Sequence, residues 1–292
     1  MAKPIIELIK VLRERTGAGM MDCKKALEET DCDIEKACDW LREKGIAKAA
    51  KKASRIAAEG LTFVKACDKC GKAIIIEVNC ETDFVAKSDA FKTLVEEVAH
   101  LIMQNDIKTV EEAKAHPAIA ELFTNATVKI GEKLDLRRFE IVALNGEESF
   151  GTYIHMGGKI SVLVVLDKTD EAAKGIAMHI AANNPLYINK EDIPADVLAH
   201  ETAIQMEASK ADEKLANKPE AVVKKIVEGK VNKQLSETTL AEQDYLLEPG
   251  TSVGNFLKQH SIKVVKFVRY MVGEGIEKRK DDFASEVMSQ LK

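Results

Sequence analysis

The sequence predicts an α+β fold, and three observations predict it. Apolar runs of strand length, rich in β-branched residues, occur at 61–67 (LTFVKAC), 73–80 (AIIIEVNC) and 159–167 (KISVLVVLD), each bounded by turn residues. Segments with apolar residues at helical spacing precede, separate and follow these runs. The runs come as hairpins that each lead into a helix, not as strict strand–helix alternation, which favours antiparallel sheets with helices on one face.

The chain has 292 residues, enough for about two or three domains with a sizeable core. Its net charge of −5 argues against a general nucleic-acid or membrane-surface binder. No apolar run reaches the roughly 20 residues of a membrane span. The start, MAKPIIELIK, lacks the apolar region and small-residue cleavage site of an exported chain. The six cysteines, at 23, 32, 38, 67, 70 and 80, are scattered, so reduced thiols in a cytoplasm are expected.

Residues 1–45 read as a three-helix module. Its first helix runs from Pro4 to Arg15, with Pro4 where a missing N–H costs nothing and Ile5, Leu8, Ile9 and Leu12 on one face. Gly17 and Gly19 break it. A second helix spans Asp22 to Glu29. A third spans Asp33 to Lys44 and carries Ile34, Ala37, Trp40 and Leu41, with Gly45 read as its stop. Residues 46–59 are Ala-rich and basic and suit a helical linker. There Lys48, Lys51, Lys52 and Arg55 form either a solvated face or a contact to RNA or an acidic partner.

The middle of the chain reads as one unit used twice. In the first core subdomain, 60–136, strands 61–67 and 73–80 turn at Asp68–Gly71 and lead into a TDFVAK corner at 82–87. A helix beginning near Asp89 follows, with Phe91, Leu94, Val95, Val98 and Leu101 on one face. The second subdomain, 137–193 with 236–275, has strands 150–156 and 159–167 around Gly157–Gly158, then a helix with Ile176, Ala177, His179 and Ile180. A further strand, 137–144, ends at Asn145-Gly146, a two-residue hairpin signal, and is expected to pair with the strand starting near Ser149.

Residues 194–235 read as a helical hairpin starting at Pro194. Val197, Ile204, Ala208, Ala211 and Leu215 form one apolar stripe, and Val222, Val223, Ile226, Val227 and Val231 the other, across a turn at Asn217–Pro219. The remaining faces are charged, so the pair is expected to protrude. It serves another macromolecule, a second copy, or nothing but a stalk. After LLEPG (246–250) come a helix at Val253–His260, a strand at 263–273 that completes the second sheet, and a charged helix from about Asp281 within 276–292.

Enzyme signatures fail one by one. Gly17-Ala18-Gly19 follows a helix and lacks the third glycine of a dinucleotide loop. Gly157-Gly158-Lys159 has Ile160 where a phosphate loop needs Ser or Thr. The histidines at 100, 116, 155, 179, 200 and 260 have no metal-ligand spacing, and Cys67-x-x-Cys70 is half of a zinc site without a second pair. No catalytic residue, metal or cofactor is assigned. What remains is Phe84, a large ring on a polar corner between Asp83 and Lys87. It is either received by a partner or folded back as a plug under the following helix.

RERTGAGMMDCKKAL (13–27) and TDFVAK (82–87) together resemble the signatures of the bacterial elongation factor Ts family. The resemblance continues in order through HIAANNP (179–185), the helical hairpin, LLEPG (246–250) and VGEGIEK (272–278). It implies a ubiquitin-associated-like module at 1–45, two similar core subdomains, a coiled-coil hairpin and a C-terminal segment. It implies guanine-nucleotide exchange on elongation factor Tu in the cytoplasm, with neither bond chemistry nor a cofactor. By residue, Arg13, Met20 and Met21 would contact the partner's nucleotide-binding domain. Thr82, Asp83, Phe84 and Val85 would dislocate the magnesium and phosphate site. His155 would meet the partner's third domain, and Leu246 and Leu247 would add an apolar contact. The implied partner set is elongation factor Tu, with a homodimer through the complex or the hairpin left open, and no direct nucleic acid or membrane. The chain departs from the family pattern at Glu81, at Asp244-Tyr245 and at Met156.

Overall fold

The computed structural model describes residues 4–52, 54–210 and 219–276. Its first three helices form where the apolar spacing predicts: α1 (Ile5–Thr16), α2 (Met20–Glu29) and α3 (Ile34–Lys52). They enclose Leu12, Cys23, Ala26, Leu27, Ala37 and Leu41. Gly17 adopts the left-handed conformation that ends α1, and Asp33 Oδ1 caps α3 by accepting from Lys36 N at 3.1 Å. The expected stop at Gly45 is wrong, because α3 continues to Lys52 and takes up half of the linker. A β-carbon at position 45 would stand 2.4 Å from Val128 Cγ2, so this glycine permits a close helix approach and does not end a helix. The side chains of Lys48 and Lys51 lie outside the described residues.

Two three-stranded antiparallel sheets follow. The first has the order β1 (Glu59–Cys67), β2 (Lys72–Cys80), β3 (Asp135–Ala143). The second has the order β4 (Ser149–His155), β5 (Ile160–Leu166), β6 (Val264–Met271). The central strands β2 and β5 read as continuous apolar runs because both of their faces are buried. Ile74, Ile76 and Val78 point to α5 (Asp89–Gln104) and α7 (Pro117–Ile130) and meet Phe91, Leu94 and Val98. Val162, Val164 and Leu166 point to α8 (Ala173–Asn183) and meet Ile176, Ala177 and Ile180. The intervening residues Ala73, Ile75, Leu163 and Val165 join Val64 and Val142 where the two sheets stack. The result is four layers: helices, sheet, sheet, helix.

The Asn145-Gly146 hairpin is a second correction. β3 pairs with β2, from Lys72↔Ala143 to Asn79↔Asp135, and β4 belongs to the other sheet. A central strand buried on both faces needs hydrogen-bond partners at both edges, and this long-range demand overrides the local turn signal. The turn instead carries the chain between sheets. The sequence reading also assigns no element between 105 and the strand at 137, where the structure has α6 (Val110–Ala115) and α7. The signals were present: a capping box formed by Thr109 and Glu112, Pro117 at the start of α7, and Gly131 at its left-handed end.

Polar ties fix one sheet on the other. Thr62 N donates to Gly158 O at 2.7 Å, and Thr62 Oγ1 lies 2.9 Å from Ser161 Oγ. The fully buried carboxylate of Glu77 is the main hub. It accepts from Arg137 Nη1 at 2.9 Å, Arg138 Nε at 2.6 Å, Asn79 Nδ2 at 3.2 Å and Gly273 N at 2.8 Å. It thereby joins β2 and β3 to the turn that follows β6.

The hairpin helices are α9 (Ala195–Lys210) and α10 (Glu220–Glu237). On α10, Val227, Val231 and Leu235 are buried with Val223 and Met206 against them, while Val222 is exposed. The stripe expected on the first helix is out of phase. Ile204 and Ala208 face solvent, and Ser209 and Met206 turn inward. Gln205 Nε2 donates to Gln234 Oε1 at 3.1 Å and Gln234 Nε2 to Glu201 Oε2 at 2.8 Å, so polar pairs share the contact. A helix with so few large apolar residues does not fix its own phase; the partner helix does. Ala211, Leu215 and Asn217–Lys218 lie outside the described residues, as does the helix expected from Asp281. Helix α11 (Val253–Gln259) and β6 form as predicted.

The thiols at the β1–β2 tip are a further correction. Cys67 and Cys70 are joined in a disulfide, with their Cα atoms 5.5 Å apart across the tight turn at Asp68–Cys70. Cys23, Cys32, Cys38 and Cys80 are free. Among the described residues, no helix is long and apolar enough to cross a membrane.

Candidate functional site

The TDFVAK corner is built by two caps in succession. After β2 ends at Cys80, Thr82 Oγ1 accepts from Val85 N at 3.3 Å and starts α4 (Asp83–Lys87). Ser88 Oγ then accepts from Phe91 N at 3.3 Å and starts α5. Each cap satisfies an N–H that a new helix leaves open, so the chain turns sharply without orphaned donors. Ala86 and Val85 face the first-sheet core. Phe84, two residues before Ala86 and so about 200° round the helix, is 82% exposed. It is not a core plug. Asp83 Oδ2 accepts from Lys87 Nζ at 2.6 Å, and this hydrogen bond holds the Asp83 carboxyl below its ordinary range. Cys80 Sγ donates to Thr82 O at 3.1 Å, and burial, its largest cause, pushes this thiol up to about 12.

His155 lies at the end of β4, with Nδ1 3.1 Å from Tyr153 Oη and exposed Ile154 and Met156 on either side. The structure brings this turn to the same end of the stacked sheets as the corner. Gly158 O receives Thr62 N of β1, and Lys159 Nζ lies 2.6 Å from Glu59 Oε2. Glu59 in turn pairs with Cys80, two residues before Thr82.

Leu246 and Leu247 project from a loop anchored by its neighbours. Tyr245 is buried against Phe256, with ring centroids 4.4 Å apart, while Leu246 is 48% and Leu247 54% exposed. Asp244 Oδ1 accepts from Gly250 N at 2.8 Å and closes the loop, which gives the Asp-Tyr departure from the family pattern a local role. Gly175 of α8 makes room, since a β-carbon there would stand 2.5 Å from Tyr245 Oη and 2.9 Å from Leu247 Cδ1.

The sequence places His179 on its helix with Ile176, Ala177 and Ile180 but does not show what the ring holds. The ring is fully buried, with Leu246 N donating to Nδ1 at 3.2 Å and Asn183 Nδ2 also donating to Nδ1 at 3.0 Å. Nε2 lies 2.9 Å from Gln243 Oε1. With Nδ1 accepting, the proton sits on Nε2 and points at Gln243. Burial lowers the His179 pKa from its ordinary 6.5, against opposing contributions from the Gln243 hydrogen bond and the Asp244 charge. Protonation would set a second donor against Leu246 N. Because the folded value is depressed, the stability contribution is complete above the unfolded pKa and declines as pH falls below 6.5. The ring carbon protons are therefore expected to titrate with a midpoint below 6.5 in a proton NMR series; a midpoint at or above 6.5 would contradict this arrangement.

Arg13, Met20 and Met21 stand on the helical module. Arg13 is exposed near the end of α1, and Met20 (58% exposed) and Met21 (73%) open α2, which starts two residues earlier than expected. The methionines are outside the module core. The module packs on α7 through its other side: Gly45 lies over Val128, and Arg42 Nη2 is 3.5 Å from Glu121 Oε1.

Among the described residues, no group of three or more His, Cys, Asp or Glu side chains is placed to hold a metal ion. Met20, Met21, Phe84, Met156, Leu246 and Leu247 are apolar and exposed, an arrangement suited to docking a protein surface. A family model described as elongation factor TS matches residues 81–274, more than half of the 292-residue chain and a span that holds the corner, His155 and the Leu246–Leu247 loop. The chain belongs to the elongation factor Ts family.

Proposed function

We propose that this protein binds elongation factor Tu·GDP in the cytoplasm and promotes GDP release by displacing the elements that hold magnesium and phosphate, so that GTP can rebind. The observation that carries this reading is Phe84, 82% exposed on a corner held by two caps. In our reading Thr82, Asp83 and Phe84 form the wedge, with Val85 fixing its base to the core, Arg13, Met20 and Met21 dock the partner's nucleotide-binding domain, and Leu246 and Leu247 extend that contact. His155 meets the third domain. Residues 1–45 act as a ubiquitin-associated-like docking module and 194–235 as a coiled-coil hairpin, available to a second copy or a further partner. Two core subdomains hold the contacts in place, with the boundary expected at 137 moved past β3, which belongs to the first sheet.

An exchange factor needs no bond chemistry. It binds the nucleotide-free partner more tightly than the nucleotide-bound one, and by reciprocity weakens nucleotide binding by the same factor. A ring that fits only when the helices beside the phosphates have shifted is buried only in the shifted state, so its burial stabilises that state selectively. Loss of magnesium then removes the charge that bridges the phosphates. Methionines suit the docking surface because their side chains adapt to irregular apolar partners.

The test is a pair of binding titrations against elongation factor Tu, nucleotide-free and GDP-bound. The nucleotide-free form is expected to bind about 5- to 150-fold more tightly, the usual span of coupling between two sites. Equal affinities would refute exchange by this linkage.

A further inference from the structure

Glu132 sits just past the Gly131 that ends α7, in a segment to which neither the motifs nor the proposed contacts give a part. Its carboxylate reaches the corner. Oε2 accepts from Glu81 N at 3.0 Å and from Thr82 N at 3.0 Å, and Oε1 accepts from Thr82 Oγ1 at 2.6 Å. These two backbone N–H groups lie between the last residue of β2, Cys80, and the first of α4, Asp83, so neither the strand ladder nor the helix supplies their acceptor. One side chain satisfies both. It also fixes the Thr82 hydroxyl, which donates to Glu132 and so offers its lone pair to Val85 N as the cap of α4.

We propose that Glu132 is a positioning residue for exchange, holding the Thr82–Phe84 corner in the orientation that presents the Phe84 ring. The inference rests on Phe84 being the wedge. A five-residue helix such as α4 is far too short to be stable by itself, so its direction is set by what anchors its start. Hydrogen bonds to a charged acceptor are the strong kind, and three of them converge here. A corner fixed in advance loses less freedom on docking.

The same loop grips the linker to the helical module. Lys133 N donates to Glu81 Oε1 at 2.6 Å, Lys133 Nζ donates to Arg55 O at 2.8 Å, and Arg55 Nη1 lies 3.2 Å from Glu81 Oε2. Lys52 Nζ also donates to Gly131 O. Residues 131–133 thus tie the end of α3 and the Phe84 corner to one point at the end of α7.

The test is a double-mutant cycle read as the rate of fluorescent GDP release from elongation factor Tu at limiting exchange factor. Glu132→Ala is expected to slow release about tenfold. The same change made in a Phe84→Ala background is expected to cost less than about twofold more, because the ring it positions is gone. Glu132→Gln keeps the shape and one acceptor and is expected to stay within about threefold of wild type. Should Glu132→Ala fold poorly, Glu132→Gln carries the same cycle, its small loss vanishing in the Phe84→Ala background. A wild-type rate from Glu132→Ala, with Phe84→Ala slow, would overturn the positioning role alone. An equal loss in both backgrounds would also overturn it, by showing that Glu132 acts on stability and not through the ring. A wild-type rate from Phe84→Ala would instead remove the wedge reading, and this inference with it.

Discussion

Phe84→Ala is expected to fold and melt like the wild type yet exchange nucleotide on elongation factor Tu about 30-fold more slowly, a loss of about 2 kcal/mol of coupling. Two effects combine in this variant. The ring is 82% exposed, so its removal leaves no cavity in the free protein. If it is buried only in the complex with a distorted partner, its whole contribution appears as differential binding. Melting temperature and release rate, measured on the same preparation, separate the two effects. A large fall in melting temperature would mean that the ring supports the fold after all.

Glu77→Ala should have the largest effect on stability. The variant takes the Glu77 carboxylate from Arg137 and Arg138, leaves Arg138 only its Glu274 ion pair at 3.3 Å, and strips Gly273 N of its acceptor. Removing one partner of a buried ion pair costs about 3–5 kcal/mol, because the remaining charges stay desolvated. Arg138 also stacks over Tyr270 at 4.2 Å, and Arg137 Nη2 donates to Glu274 O, so losing the anchor loosens the grip of the first sheet on the end of β6. Urea unfolding would show this as a lower midpoint. A loss below about 1 kcal/mol would mean that solvent or a neighbouring acid replaces the carboxylate.

Much of this architecture is legible in the residues, and the remainder has a common cause. Local signals place the strands around AIIIEVNC and KISVLVVLD, the TDFVAK corner and the helix after it. What they do not carry is the long-range partner of the strand at 137–144. Asn145-Gly146 looks like a hairpin turn, and only the two-sided burial of β2 shows why β3 turns to that strand instead. Gly45 looks like a helix stop, and only the approach of Val128 shows that it is a contact. The phase of α9 was misread because its apolar residues are few and polar pairs with α10 set the rotation. The Cys67–Cys70 bond depends on a turn geometry that the spacing alone leaves open.

The candidate site divides the same way. Phe84 stands out because a large apolar ring on a polar corner is conspicuous in a sequence, whereas Met20 and Met21 are marked only by the family resemblance. Their exposure then follows from the helix phases of α4 and α2. Glu132 carries no local mark, since an acid in a charge-rich chain is ordinary, and for His179 the sequence gives the helix but not the partners. Their parts appear only when chain segments distant in sequence meet. Glu132 reaches Thr82 across 50 residues, and Leu246 reaches His179 across 67.

Acceleration of nucleotide release from elongation factor Tu is the activity on which every proposed contact bears. The most direct measurement loads elongation factor Tu with a fluorescent GDP analogue, chases with excess unlabelled GDP, and follows the signal with and without this protein. The release rate is expected to rise with the concentration of this protein, and excess magnesium to oppose the rise. A release rate that stays at its spontaneous value at every concentration, with a protein shown to be folded, would contradict this activity.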